Sequence, residues 1–217
     1  MRQANATRNT GPRRIGNAPV GRENTVMRII GGEFRGRRLK APKGRNTRPT
    51  PDRVREALFS ILGPAIEGAR VLELFGGTGS LGLESLSRGA GRAVFCEVNR
   101  LALSCLTENI ATLDVEDRTR VHHFSALDFP RRARPPEPFD FVFCDPPHRL
   151  LADARSRRGI EELLGAIPLA PDGRIILEHR TGALGDFSPP GLSRLDLRTW
   201  GSTGMAFYAS RINADSA

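Results

Sequence analysis

The stretch VLELFGGTGSLGLESLSRGA, residues 71–90, decides how the rest of the chain is read. An apolar run ends at Phe75, Gly77, Gly79 and Gly82 follow in G-x-G-x-x-G order, and Glu97 stands 20 residues past Gly77. Strand, glycine turn and helix in that order open a nucleotide-binding α/β sheet, and the spacing alone fits a dinucleotide pyrophosphate. Glu73 does not fit it. A carboxylate at the strand end, three residues before Gly76, repels phosphate and suits a cation such as an α-ammonium or a sulfonium. The acid-x-x-Gly-Gly-x-Gly order therefore favours S-adenosylmethionine over a dinucleotide. Glu97, at the tip of the next strand, can accept both ribose hydroxyls, which either cofactor would require.

Outward from this unit, strand-like and helix-like runs alternate. RVLELF is followed by a helix from about Ser80, RAVFCEV by a helix over Arg100 to Leu113, then come RVHHF, FDFVFCD, a helix near Ile160 to Ile167, and GRIILEH. Such alternation predicts an α/β fold with a doubly wound, mostly parallel sheet. The final pair, near Leu192 to Trp200 and Met205 to Ile212, has no helix between its members and reads as an antiparallel hairpin at the sheet edge.

Upstream, residues 27–63 read as a small β-hairpin, RIIGGEFRGRRLKAP, and a helix, RPTPDRVREALFSILG, in which Thr50 is placed to cap, Pro51 to start the helix, and Val54, Leu58 and Ile61 to line one face. Residues 1–26 hold hardly any large apolar side chains and read as a flexible basic tail, residues 213–217 as a second tail, and residues 64–212 as the main domain.

The net charge of +9 is uneven: residues 1–55 carry fifteen Lys and Arg against three acids, and the remainder is slightly acidic. An overall preference for arginine does not gather charge into one quarter of a chain, so the asymmetry points to a polyanion such as nucleic acid. Arg35, Arg37, Arg38 and Lys40 crowd a hairpin too short to need them for packing, and with Arg149 they are the candidate phosphate contacts. Three cysteines with no paired spacing argue against disulfides and zinc and for a reducing, cytoplasmic setting. No run approaches the roughly 20 apolar residues of a membrane span.

FDFVFCDPPHRL places Asp145, Pro146, Pro147 and His148 directly after an apolar strand. An Asp-Pro-Pro-aromatic turn at this point resembles motif IV of methyltransferases that modify the exocyclic amines of adenine, cytosine or guanine. Such an amine is a weak nucleophile because its lone pair is delocalised into the ring. Hydrogen bonds from its protons to the Asp145 carboxylate and the Pro146 carbonyl favour a pyramidal, reactive nitrogen, and a flat fourth residue gives the base a stacking face. That residue is usually Tyr or Phe; here it is His148.

MRIIGGEFRGRRL, RPTPDRVREALF, LELFGGTGSLGLESLSRGA, FCEVNR and FVFCDPP together resemble the small-subunit methyltransferase D family, bacterial 16S ribosomal RNA guanine-N2 methyltransferases, over about Arg28 to Ile212. The resemblance implies a Rossmann-like seven-stranded domain and S-adenosylmethionine-dependent methylation of one guanine in the head of the small ribosomal subunit. It implies that Glu73, Phe75, Gly76, Gly77 and Gly79 hold the methionine end and ribose, Glu97 the ribose hydroxyls, and Ser125 and Ala126 the adenine edge. Arg48 and Thr50 would lie near the methionine carboxylate. The expected partner is 16S rRNA or the assembling subunit, met by a monomer that binds no metal. The competing readings are a DNA amino-methyltransferase, a catalytically decayed RNA-binding module and a nicotinamide oxidoreductase.

Overall fold

The computed structural model describes residues 27–42 and 50–211; the basic tail, Arg48 and the last six residues lie outside them. Seven strands form one sheet: β1 Arg70–Leu74, β2 Arg92–Cys96, β3 Thr119–His122, β4 Phe139–Cys144, β5 Leu169–Arg180, β6 Leu192–Trp200 and β7 Thr203–Ser210. Their order is β3-β2-β1-β4-β5-β7-β6, with β1 to β5 parallel and the last two strands antiparallel. The order reverses at β1 and β4, so a crevice opens beyond their C-terminal ends, which is where open α/β sheets bind ligands.

Alternation along the parallel strands divides the core into two layers. Val71, Phe95, Phe141, Phe143 and Ile176 face one side, with Leu72, Val94, Val142, Cys144 and Leu177 on the other. The first side is covered by α1 (Asp52–Leu62), α2 (Ser80–Ser87) and α3 (Arg100–Leu113), the second by α4 (Phe129–Ala133), α5 (His148–Ala152) and α6 (Ala154–Gly165). Asn99 caps α3 by accepting the N–H groups of Leu101 and Ala102.

Two expectations change at the N-terminus. The hairpin is a turn closed by one antiparallel bridge, Arg28 with Arg38, rather than a strand pair. It is held from outside: the buried Glu84 of α2 accepts the N–H groups of Ile30 and Gly31, each at 2.8 Å, and the Glu33 N–H donates to the Ser87 carbonyl at 2.7 Å. Gly32 is needed there, since its φ is 76° and a Cβ would lie 1.8 Å from the Ser87 carbonyl oxygen. Thr50, expected as a cap, makes no capping bond to α1, whose buried face is Val54, Arg55, Leu58, Phe59 and Leu62; Ile61 points outward. The Thr50 hydroxyl is spent elsewhere, as described next.

Candidate active site

The glycine turn begins with strain. Phe75 has φ 58°, a left-handed value that costs a non-glycine residue on the order of 1 kcal/mol or more, and the chain then turns through Gly77 (φ 54°) and Gly79 (φ 81°) into α2. Two of the free N–H groups of that helix are not open to a ligand. Glu73 accepts from Leu81 at 3.2 Å and from Gly82 at 2.8 Å, one bond to each carboxylate oxygen. Gly82 permits the approach, because a Cβ there would sit 2.4 Å from the Phe95 ring and 3.0 Å from a Glu73 oxygen. The helix end that holds a pyrophosphate in dinucleotide folds is therefore closed by a carboxylate. The sequence places Glu73 against the ligand's cation; the structure turns the carboxyl group under the helix.

Burial raises the pKa of Glu73 to about 7, against the opposing pull of the Gly82 and Leu81 N–H groups and the Arg55 guanidinium. Arg55 is itself buried. Its Nη2 donates to the Arg28 carbonyl at 2.7 Å and to Asp52 at 2.8 Å, while Nε and Nη1 have no partner among the described residues.

Glu97 is fixed by the backbone as well. Oε2 accepts from Gly77 at 2.7 Å, and Oε1 from Val98 at 2.8 Å and Asn99 at 2.6 Å. A carboxylate has about four acceptor positions, so among the described residues one remains open, at Oε2. Val98 beside it is an exposed apolar side chain, and the buried Ala126 follows Ser125 just past the end of β3. Gly76 donates to the Cys96 carbonyl at 2.9 Å, which ties the turn to the tip of β2.

On the other side of the crevice, Asp145 directly follows β4. Neither its carboxylate nor the Pro146 carbonyl accepts a hydrogen bond from the described residues. Burial, then the neighbouring Glu178 and Glu73, pushes the Asp145 carboxyl well above the usual carboxylate range. Pro147 precedes α5, and His148 is its first residue, exposed to solvent along with Arg149. Glu178, on β5, is also raised by burial, opposed by the Thr50 hydroxyl, which donates to its Oε2 at 2.7 Å. Glu178, Arg55 and Val98 were not singled out from the sequence. For Glu178 a signal existed: Leu72-Glu73, Cys96-Glu97, Cys144-Asp145 and Leu177-Glu178 all place an acid after an apolar run.

Among the candidate RNA contacts, Arg35, Arg37, Arg38 and Lys40 are all exposed, but they are not equivalent. Lys40 pairs with Glu108, and the Arg37 Nη2 donates to the Thr112 carbonyl at 2.8 Å, whereas Arg35 and Arg38 make no side-chain bond to the described residues. The turn that carries them abuts the glycine loop: the Thr78 hydroxyl donates to the Met27 sulfur at 3.1 Å, and the Asn109 amide donates to the carbonyls of Lys40 and Thr78, each at 3.0 Å. Arg48 lies outside the described residues.

The donor set fits a cationic cofactor. Four carboxylates border the crevice, and the helix end that would greet a phosphate is occupied.

Comparison with known proteins gives the same picture. Residues 27–209 match the family described as conserved hypothetical protein 95. YlbH of Bacillus subtilis, named as a candidate rRNA methyltransferase, is 34% identical over 190 residues, 85% of this chain and all of that protein. Ribosomal RNA small subunit methyltransferase D of Escherichia coli is 46% identical over 123 residues, 57% of this chain and 61% of that protein. A solved structure of a candidate methyltransferase from Escherichia coli, yhhF, superposes with a TM-score of 0.70 at 36% identity, covering 84% of this chain and 97% of that one.

Proposed function

Because the chain belongs to the conserved hypothetical protein 95 family, which includes ribosomal RNA small subunit methyltransferase D, we infer that it is an S-adenosylmethionine-dependent rRNA methyltransferase that modifies the N2 amine of a guanine in the small-subunit RNA. The observation that carries this reading is the Asp145-Pro146 turn, which presents a carboxylate and a carbonyl with no partner among the described residues, across the crevice from a glycine loop whose helix is engaged by Glu73.

S-adenosylmethionine supplies an electrophilic methyl group on a sulfonium. Glu97 offers its open acceptor position to a ribose hydroxyl, and Val98 and Ala126 offer apolar surface to the adenine. Glu73, ionised in part near neutral pH, holds the start of the helix on the sulfonium side, and Thr50 borders the methionine end. The Asp145 carboxylate and the Pro146 carbonyl each accept a hydrogen bond from one N–H of the target amine, which directs its lone pair away from the ring and toward the methyl donor, whose thioether leaves as S-adenosylhomocysteine. The amine must shed one proton on methylation, and Asp145, whose affinity for protons is raised by burial, is the acceptor in contact with it. His148, exposed at the mouth, stacks on the base, and Arg35, Arg38 and Arg149 meet RNA phosphates.

The test is to incubate the purified protein and S-adenosylmethionine with small-subunit particles from a strain lacking it, and to digest the RNA to nucleosides. N2-methylguanosine is the expected product. Methylated adenosine or cytidine in its place would overturn the choice of base, and no methylated nucleoside would overturn the activity.

A further inference from the structure

Three buried carboxylates, Glu73, Glu84 and Glu97, have each oxygen engaged by at least one N–H group of their own fold. Two do not: among the described residues Asp145 accepts nothing, and Glu178 is engaged only at Oε2, by Thr50. These two are neighbours. β4 and β5 pair in parallel with Cys144 opposite Leu177, and neighbouring strands lie about 4.8 Å apart, so Asp145, just past the end of β4, and Glu178, on β5, each follow that pair by one residue. Cys144 and Leu177 both belong to the layer under α5 and α6, which turns Asp145 and Glu178 to the opposite face, toward Glu73 and the start of α1. Their proximity also shows in the electrostatics, where each carboxyl is crowded by burial and Glu178 adds to the crowding of Asp145. Burial raises the Glu178 carboxyl, and the hydroxyl of Thr50 opposes that rise.

Three nucleobases carry an exocyclic amine, and they differ in the ring position beside it. Guanine has an N–H donor there, N1–H, next to its N2 amine. Adenine at N1 and cytosine at N3 present a lone pair instead. A carboxylate beside the one that holds the amine accepts a bond from guanine and repels the other two bases. We propose that Glu178 selects guanine, its free Oε1 accepting the N1–H while Asp145 accepts from the adjacent amine. This rests on the rRNA guanine reading above and gives its base preference a residue.

The experiment uses the full-length protein and small-subunit RNA carrying, at the mapped target nucleotide, either guanine or 2-aminopurine, which keeps the 2-amine and has a lone pair at N1. The wild type is expected to favour guanine in kcat/KM by about tenfold to a hundredfold, the worth of one hydrogen bond to a charged acceptor. Glu178→Gln is expected to lose activity on guanine and to shrink that ratio to within about threefold, because its carboxamide can donate to the N1 lone pair. Retained affinity for S-adenosylhomocysteine by calorimetry shows that the variant is folded. Should it not fold, Glu178→Asp, which keeps a carboxylate, is expected to preserve the preference for guanine at a lower rate. A wild-type ratio near one, or an unchanged ratio in Glu178→Gln, overturns the role of Glu178 while N2-methylguanosine as product leaves the functional reading standing. A product methylated on another base overturns both.

Discussion

The two rims of the crevice treat their carboxylates in opposite ways. On the glycine-loop rim, Glu73 and Glu97 accept five backbone N–H groups between them, so both are locked before any ligand arrives. On the Asp-Pro-Pro rim, among the described residues, Asp145 accepts none and Glu178 only a hydroxyl. Acceptor positions that the fold leaves without an internal partner are available to a ligand. The first rim is thus a preformed cradle, and the second is completed by the substrate.

The largest effect should come from separating the rims. Asp145→Ala removes a group engaged most strongly in the transition state, so turnover should fall by roughly 10²- to 10⁴-fold with cofactor affinity kept. Glu97→Ala should do the reverse at first, weakening S-adenosylmethionine binding by about 1.5–3 kcal/mol, the worth of a hydrogen bond to a charged group. Calorimetry and single-turnover rates on both variants check this. If Asp145→Ala loses cofactor binding as severely as Glu97→Ala, the two rims are one site and the comparison breaks.

Glu73 sharpens the contrast through pH. Its pKa is raised in the folded chain from 4.5 to about 7, so the folded state prefers the protonated form. A raised acid contributes stability that is full below the unfolded pKa and is lost as pH rises through the folded one. A shift of this size corresponds to roughly 3 kcal/mol. Between pH 4.5 and 7 the stability of the wild type should fall relative to Glu73→Gln by that order, as read by urea denaturation across the range. A gap between the two proteins that is constant with pH would show that Glu73 is ionised throughout under the helix.

Much of this was legible in the sequence, for reasons that particular residues make plain. The strands of the parallel sheet are buried on both faces and read as unbroken apolar runs, and α3 was located to the residue, Arg100 to Leu113, by its periodicity. Glycine and Asp-Pro-Pro motifs marked both rims because their local chemistry is unusual. What failed was tertiary. Thr50 has the composition of a cap, yet its hydroxyl reaches 128 residues along the chain to Glu178. Glu178 itself sits in an ordinary apolar strand, and only the pairing of β4 with β5 brings it beside Asp145. The glycines of the N-terminal segment suited a hairpin, but with Gly32 pressed against Ser87 the segment is shaped by α2 rather than by strand pairing.

His148 lies at the substrate rim, where a stacking face is needed, and it is exposed at the start of α5. His148→Ala should cost about 1–3 kcal/mol in kcat/KM, one base-aromatic stack, whereas His148→Phe should be tolerated. A phenylalanine variant as impaired as the alanine variant would mean that the imidazole acts through a hydrogen bond instead.

The smallest effects belong to the basic turn, and they depend on which charges are already committed. Lys40 is paired with Glu108 and Arg37 with a helix carbonyl, while Arg35 and Arg38 are free of side-chain partners among the described residues. Each phosphate neutralised contributes about −0.7 to −0.9 to the slope of log affinity against log salt. Arg35→Ala with Arg38→Ala should therefore flatten the slope by roughly 1.4 to 1.8, with S-adenosylmethionine affinity unchanged. The matched pair Arg37→Ala with Lys40→Ala should flatten it less, since Glu108 would already neutralise one of the two charges. Equal slopes for the two double variants would show that RNA draws Lys40 away from Glu108. An unchanged slope in both would take the turn out of the RNA interface altogether and leave contact with phosphate to other basic residues.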